Sequence, residues 1–200
     1  MTNSAPAIRD RGTLIDRLAP ARGAAANVSL RPLLLVGAGV AFLALLAQLR
    51  VQIGPVPITG QTLGVLLLGA AYGARFGVLT TGAYALLGVA GLPLFAGGGS
   101  GAAYLLGPTG GYLIGFVAAA GLLGALAQRG WDRTYLSAAL AMLAATLVIY
   151  LFGVTWLSFA LGDLGAALAA GLVPFVPGDL IKLGAAVALL PSAWRLLGRG

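Results

Sequence analysis

No cysteine and no histidine occur among the 200 residues, and glutamate is missing as well, so the five acidic residues are all aspartates. These absences remove disulfides, thiolate chemistry, histidine-held haem and most zinc sites. Imidazole general-base catalysis goes with them, and five scattered carboxylates make a poor metal cage, so neither a metal nor a cofactor is expected. Charge is scarce too. Charged residues make up 8% of the chain, against about 25% in a typical soluble domain. What is present is apolar: 60% of residues are hydrophobic and the mean hydropathy is +0.98. Long apolar runs with so few charges indicate an integral membrane protein in a lipid bilayer, with room for about six helices of ~20 residues.

The net charge is +7 and the pI about 10.6. In a soluble protein this would suggest nucleic acid. Basic patches interleaved with aromatic residues are absent, however, and no nucleic-acid partner is expected. The positions of the charges speak to topology instead.

Residues 1–30 are polar and rich in arginine and alanine, and read as a disordered cytoplasmic tail. One short amphipathic turn is available over residues 13–18, with Thr13 and Asp16 as a capping pair. The membrane domain is expected over 31–200. Apolar runs place helices over 31–49, 60–73, 77–91, 109–128, 135–161 and 178–197. Residues 50–59 carry two prolines and alternate apolar with polar, which reads as an extended or hairpin-like loop. Arg75 falls in a tight turn, residues 92–108 form a long uncharged glycine-rich loop, and Arg129, Asp132 and Arg133 fill a polar turn. The short stretch 162–177, broken by Pro174 and Pro177, could be argued as a seventh span.

Charge counting opposes the seventh span. With six, Arg9, Arg11, Arg17, Arg22, Arg31, Arg75, Arg129, Arg133, Arg195 and Arg199 share one side, and only Arg50 and Lys182 lie on the other. That split is what the positive-inside rule requires, with both termini cytoplasmic in a multi-pass inner-membrane protein. The 50–59 loop, the 92–108 loop and the start of the last helix then meet on the extracytoplasmic face.

At that start stands Pro177-Gly178-Asp179-Leu180-Ile181-Lys182. Asp179 and Lys182 lie one turn apart on one side of a helix. Ionisable groups in such a place are expensive and mark a functional site by default. Asp179 also has a plain explanation as a helix cap at the positive end of the dipole. Lys182 is on the wrong end of that dipole; it could snorkel to the interface, pair with Asp179, or meet a ligand. Together they suit a small organic acid with amide-like groups, an ammonium offering donors and a carboxylate accepting N–H groups. The run 97–101 permits close backbone approach, either as an anion-binding concavity or as a plain flexible linker; no Gly-Lys-Ser/Thr follows, so it is not a P-loop. Tyr104, Tyr112 and Phe95 flank it, fitting a bicyclic ligand or the membrane interface equally. In the first helix Gly37 and Ala41 form a small-xxx-small pair for a neighbouring helix or a partner subunit.

Four segments occur together and in order: Val56-Pro57-Ile58-Thr59-Gly60-Gln61-Thr62-Leu63, Gly91-Leu92-Pro93-Leu94-Phe95-Ala96-Gly97-Gly98-Gly99-Ser100-Gly101, Leu106-Gly107-Pro108-Thr109-Gly110-Gly111-Tyr112, and the 177–182 motif. Over about residues 31–197 the chain thereby resembles the BioY family, the biotin-binding S components of energy-coupling-factor (ECF) transporters. The resemblance implies an all-α, six-helix S-component fold that binds biotin near the outer face and is not an enzyme. It implies ligand contacts from Asp179 and Lys182 and cover from the loop around Gly98, with Phe95, Tyr104, Tyr112 and Gln61 joining the ligand-binding set. It implies partners as well, a transmembrane coupling subunit (EcfT-like) and two ATPase subunits, with Gly37 and Ala41 as the coupling surface. Alternative readings are an S component for another vitamin, an integral-membrane lipid enzyme, and a purely structural membrane subunit.

Overall fold

The computed structural model describes residues 12–18 and 30–198. Helices dominate, and among the described residues five of them are long and apolar enough to cross a membrane. In hydrocarbon every backbone polar group must find an internal partner, which alanine- and leucine-rich helices provide within a single segment.

The first element is a short helix, α1 (Leu14–Leu18), at the place where the sequence allows one short turn over residues 13–18. Asp16 accepts from both the backbone N–H and the hydroxyl of Thr13 and pairs with Arg31 at 3.1 Å. The rest of the tail lies outside the described residues. Next comes α2 (Leu30–Gln48). The carbonyls of Leu46, in its last turn, and of Leu49, just past its end, both accept from the Gly60 N–H. Between them β1 (Arg50–Val51) and β2 (Ile58–Thr59) pair antiparallel, the hairpin expected of the two-proline stretch.

The helix α3 (Gln61–Val89) is a single run interrupted only at Gly73, with φ 76° and ψ 175°. The interruption reverses the chain. Gln61 Nε2 donates to the Tyr84 hydroxyl at 2.8 Å, whereas a straight helix would hold those residues about 35 Å apart. A Cβ on Gly77 would lie 3.4 Å from the Gly69 Cα, so the two arms run side by side. The sequence placed a turn around Arg75 between two helices. One glycine does that work here, because its left-handed φ is open to a residue without a side chain. Gly124, in α5 (Gly110–Ala127), allows the close approach: a Cβ there would strike the Gly73–Ala74 peptide.

The 92–108 loop is more regular than its composition suggested. A 3-10 turn (Ala96–Gly98) and α4 (Ala102–Leu106) lie within it. α6 (Tyr135–Leu161) is capped by Thr134, whose hydroxyl accepts from the Ser137 N–H, and ends on Gly162 at φ 71°. The stretch after it is helical as well. In α7 (Leu164–Gly171) the Asp163 side chain accepts from the Ala166 N–H. Eight residues span about 12 Å, too short to cross a bilayer. The last element is α8 (Val176–Leu197), which starts two residues before the expected position, with Pro177 in its first turn. α3, α5 and α6 supply most of the core, including Val65, Leu66, Ala119, Ala120, Met142, Ala145 and Ile149, each at most 2% exposed.

Candidate binding site

One cavity is enclosed by the β2–α3 junction, the α4 region, α5, α6 and the start of α8. Its polar wall is Thr59, Gln61, Thr62, Tyr150, Asp179 and Lys182; its apolar wall includes Val56, Leu113, Phe116, Ile149 and Phe175, with Tyr104, Thr109 and Tyr112 between. The free space left inside is narrow, about 30 Å³.

Asp179 is the fourth residue of α8 and does not cap it. Phe175 holds the N-cap position with no side-chain cap bond. The carboxylate, 6% exposed, turns inward instead. Its Oδ1 accepts from Lys182 Nζ at 2.8 Å and from the Thr62 hydroxyl at 2.9 Å. Its Oδ2 accepts from the Tyr150 hydroxyl at 2.7 Å. Lys182 Nζ also donates to the Thr59 carbonyl at 2.6 Å and to Thr62 Oγ1 at 3.0 Å. The ammonium therefore has an acceptor for each of its three donors. Thr62 closes the circuit, accepting from the lysine and donating to the aspartate. Of the three readings open for Lys182, snorkelling is excluded: the side chain points into the protein. Pairing with Asp179 is what the geometry contains. The pair is neutral as a whole and hydrogen-bonded at every donor, the condition under which buried charges are tolerable.

A second polar chain runs behind the first. Thr59 donates to Gln61 Oε1 at 3.0 Å, Gln61 donates to Tyr84, and Tyr84 donates to the Leu94 carbonyl at 2.9 Å. It ties the floor of the cavity to the loop that overhangs it. Phe95, 1% exposed, is wedged between Tyr84 and Tyr104, with ring centroids 5.6 and 4.7 Å away. It anchors the loop and carries Tyr104 into the cavity wall, but is not itself part of the lining; Gly98, exposed at φ 74°, is not either. Tyr112 spends its hydroxyl on the Gly171 carbonyl, 2.6 Å away, and offers its ring, which lies nearly parallel to that of Phe175. Gly153 and Gly171 leave room for that ring and its hydroxyl, since a Cβ on either would collide with Tyr112.

Asp179, Lys182, Gln61, Tyr104 and Tyr112 are thus brought together, as the sequence suggested. Tyr150, Thr62 and Thr59 were missed. Thr62 sat unmarked beside Gln61 in the first motif. For Tyr150 the available signal was a hydroxyl near the middle of an apolar helix, one turn after Thr146. Gly37 and Ala41 lie elsewhere, on an exposed stripe of α2, where a Cβ on Gly37 would meet nothing within 4 Å.

Comparison with known proteins agrees with this geometry. The BioY family model matches residues 21–199. The biotin transporter BioY of Thermotoga maritima is 40% identical over 158 residues, covering 77% of this chain and 90% of its own. That of Rhizobium etli is 37% identical over 156 residues, covering 74% and 83%. The crystal structure of the S-component for biotin from an ECF-type ABC transporter superposes with a TM-score of 0.76 at 30% identity, covering 86% of this chain and 95% of the other. With its membrane-crossing helices, its enclosed ion pair and a family match over nearly its whole length, the chain belongs to the BioY family.

Proposed function

We propose that this protein takes up biotin as the high-affinity substrate-binding component of an ECF-type transporter. The observation that carries the reading is the ion pair Asp179–Lys182 in the wall of an otherwise largely apolar, aromatic-lined cavity. Biotin presents a carboxylate, a ureido group with two N–H donors and a carbonyl, and an apolar bicycle. The Asp179 carboxylate accepts three hydrogen bonds out of about four lone-pair positions, leaving room for a ureido N–H. The Lys182 ammonium has no idle donor, so a ligand oxygen reaches it by displacing Thr62 or the Thr59 carbonyl. The bicycle packs between Tyr104, Tyr112 and Phe175. Admitting it requires the narrow walls to separate, and the 92–108 loop is the element able to move.

Six membrane-crossing segments are proposed: α2, the two arms of α3, α5, α6 and α8. Both termini then lie in the cytoplasm and the cavity lies toward the outside. The first arm of α3 (61–72) covers only about 18 Å, and the β1–β2 hairpin fills the remaining depth above it. The relatives named above are transporters rather than enzymes, and the same role is assigned here. Energy comes from partners, an EcfT-like coupling subunit on the Gly37–Ala41 stripe and two ATPase subunits.

Equilibrium binding of labelled biotin to the purified protein in detergent tests the substrate, with thiamin and riboflavin as competitors. Lys182→Ala is expected to lose at least about tenfold in affinity, roughly one charge-assisted hydrogen bond. Asp179→Asn loses less, because one carbonyl oxygen survives. Affinity of Lys182→Ala within about threefold of the parent, under 1 kcal/mol, refutes the ligand role of this pair.

A further inference from the structure

Tyr84 does not line the cavity, yet it is among the most enclosed side chains in the molecule, at 1% exposed. A buried hydroxyl is tolerable when it is hydrogen-bonded, and this one is engaged on both sides. It accepts from Gln61 Nε2 and donates to the Leu94 carbonyl. Thr59 fixes that direction. Its hydroxyl oxygen accepts from the Gln61 backbone N–H at 3.2 Å, and its proton goes to Gln61 Oε1. The Gln61 amide nitrogen is thereby turned toward Tyr84, and the Tyr84 proton is left for Leu94. With the amide turned the other way, Gln61 would take that proton and strand the Leu94 carbonyl.

The loop beyond Leu94 is built to hinge. Gly97, Gly98 and Gly101 hold positive φ ahead of α4, a conformation open to a residue without a side chain. α4 buries none of its five residues, and its Tyr104 reaches the cavity wall. What seats this segment lies at its base. The Phe95 ring fills the space left by Gly88, where a Cβ would strike it. Gln48 Nε2, from α2, donates to the Phe95 carbonyl at 3.2 Å, and the Gly101 N–H donates to the Gly88 carbonyl at 2.8 Å. The tie through Tyr84 differs from these because it continues into the lining, through Gln61. Its ring also meets Phe95 edge-on, and Phe95 stacks on Tyr104. One side chain therefore joins the floor of the cavity to both the backbone and the aromatic face of its cover.

We propose that Tyr84 is a positioning residue, whose hydroxyl between Gln61 and the Leu94 carbonyl holds the cover seated over the cavity and sets how fast a bound ligand leaves. The proposal deepens the reading that the cavity takes biotin and rests on it for the identity of that ligand. Ligand contact stays with the groups that line the cavity; Tyr84 acts through Gln61 and through the loop.

The test is Tyr84→Phe, which keeps the ring against Phe95 and removes the link. The control is Tyr72→Phe, also in α3, which loses a hydroxyl bond to the Leu35 carbonyl away from the cavity. Hydrogen exchange of the unliganded full-length protein in detergent should quicken at least about fivefold over residues 95–107 in Tyr84→Phe, the effect of losing about one buried hydrogen bond. It should stay unchanged over α5 and α6, and over 95–107 in the control. Labelled biotin should dissociate at least about fivefold faster from Tyr84→Phe, with its association rate within about twofold of the parent. Both rates should stay within about twofold in Tyr72→Phe. Exchange over 95–107 equal to that of the parent overturns the proposal, as does an unchanged dissociation rate. Loosening throughout, α5 and α6 included, makes Tyr84 a structural residue and also overturns it. A parent protein that retains no labelled biotin refutes the substrate reading, and the exchange measurement then decides whether Tyr84 seats the cover.

Discussion

Among the described residues, two buried aspartates lie toward opposite ends of α8, and they are held in opposite ways. Near its start, Asp179 accepts from an ammonium and two hydroxyls, so both oxygens are satisfied and a counter-charge is in contact. Near its far end, Asp132 accepts from one indole N–H, that of Trp194, and its Oδ1 is buried without a hydrogen-bond partner. Burial lifts the Asp132 carboxyl above the usual carboxylate range, against the weaker opposing pull of Trp194 and Arg133. The first aspartate is hydrogen-bonded at both oxygens, with an ammonium in contact. The second is tolerated as a fastening for Trp194. Burial alone therefore does not separate the two aspartates; the completeness of the polar shell does.

The sharpest way to break this contrast is to take the counter-charge from Asp179. Lys182→Met removes it with little change in volume, and stranding one partner of a buried ion pair costs about 3–5 kcal/mol. Adding Asp179→Asn should return much of that loss, because no lone charge then remains. Chemical denaturation of the single and double variants in detergent measures the coupling. Two losses that simply add would show that the residues do not act as a pair. Biotin affinity should fall in all three variants, separating the restored stability from the lost site.

A steric change at the same end has the next largest effect. In Gly153→Ala the new methyl collides with the Tyr112 ring, which its hydroxyl pins to Gly171. The ring, which lines the cavity, must shift. Overpacking of this kind costs about 1–3 kcal/mol, and biotin affinity should fall with it. Unchanged affinity in a destabilised variant would place the ligand away from Tyr112.

How much of this was legible in the sequence follows from where each signal resides. Lys182 and Asp179 stood out because charge in an apolar run is expensive wherever it occurs, and the argument needs no partner. Tyr150 and Thr62 did not, because a tyrosine or threonine in a membrane helix is ordinary until one knows that 29 or 117 residues away lies the same carboxylate. The apolar segments were readable by run length, and their ends fell within a few residues of the observed α2, α5, α6 and α8. Gly73 was read as the end of a helix, whereas it is a single-residue reversal whose tightness depends on Gly124 of a different helix. α7 was hidden for a local reason: proline and glycine in 162–177 suggested irregular chain, while the Asp163 cap was enough to start a helix before the first of those prolines. Phe95 was recognised as an aromatic near the site, but sequence could not say that its ring faces the core with Tyr104 on top of it.

At the other aspartate, Trp194→Phe keeps an aromatic ring and removes the donor to Asp132. A buried carboxylate left without that partner costs about 1–3 kcal/mol at neutral pH. The cost should shrink in acid, where a protonated carboxyl needs the donor less. Thermal unfolding at two pH values reads the difference, and a pH-independent loss would assign the role of Trp194 to packing against Arg133.

The smallest effect, and the most direct test of the contrast, is Asp132→Asn. Because burial holds the folded-state pKa above the reference value of 3.8, the native state binds the proton more tightly than the unfolded chain does. Stability from this residue is therefore present at low pH and is lost as pH climbs from 3.8 through the folded-state value, beyond which it is level. Asparagine keeps an oxygen for the Trp194 indole and carries no charge. The variant should match the parent in acid and exceed it at neutral pH, by less than Trp194→Phe costs. Biotin binding should be untouched, since Asp132 lies at the opposite end of α8 from the cavity. A variant less stable than its parent at neutral pH would mean that the Asp132 charge is used, by Arg133 or by a group beyond it, and the two aspartates would then be alike after all.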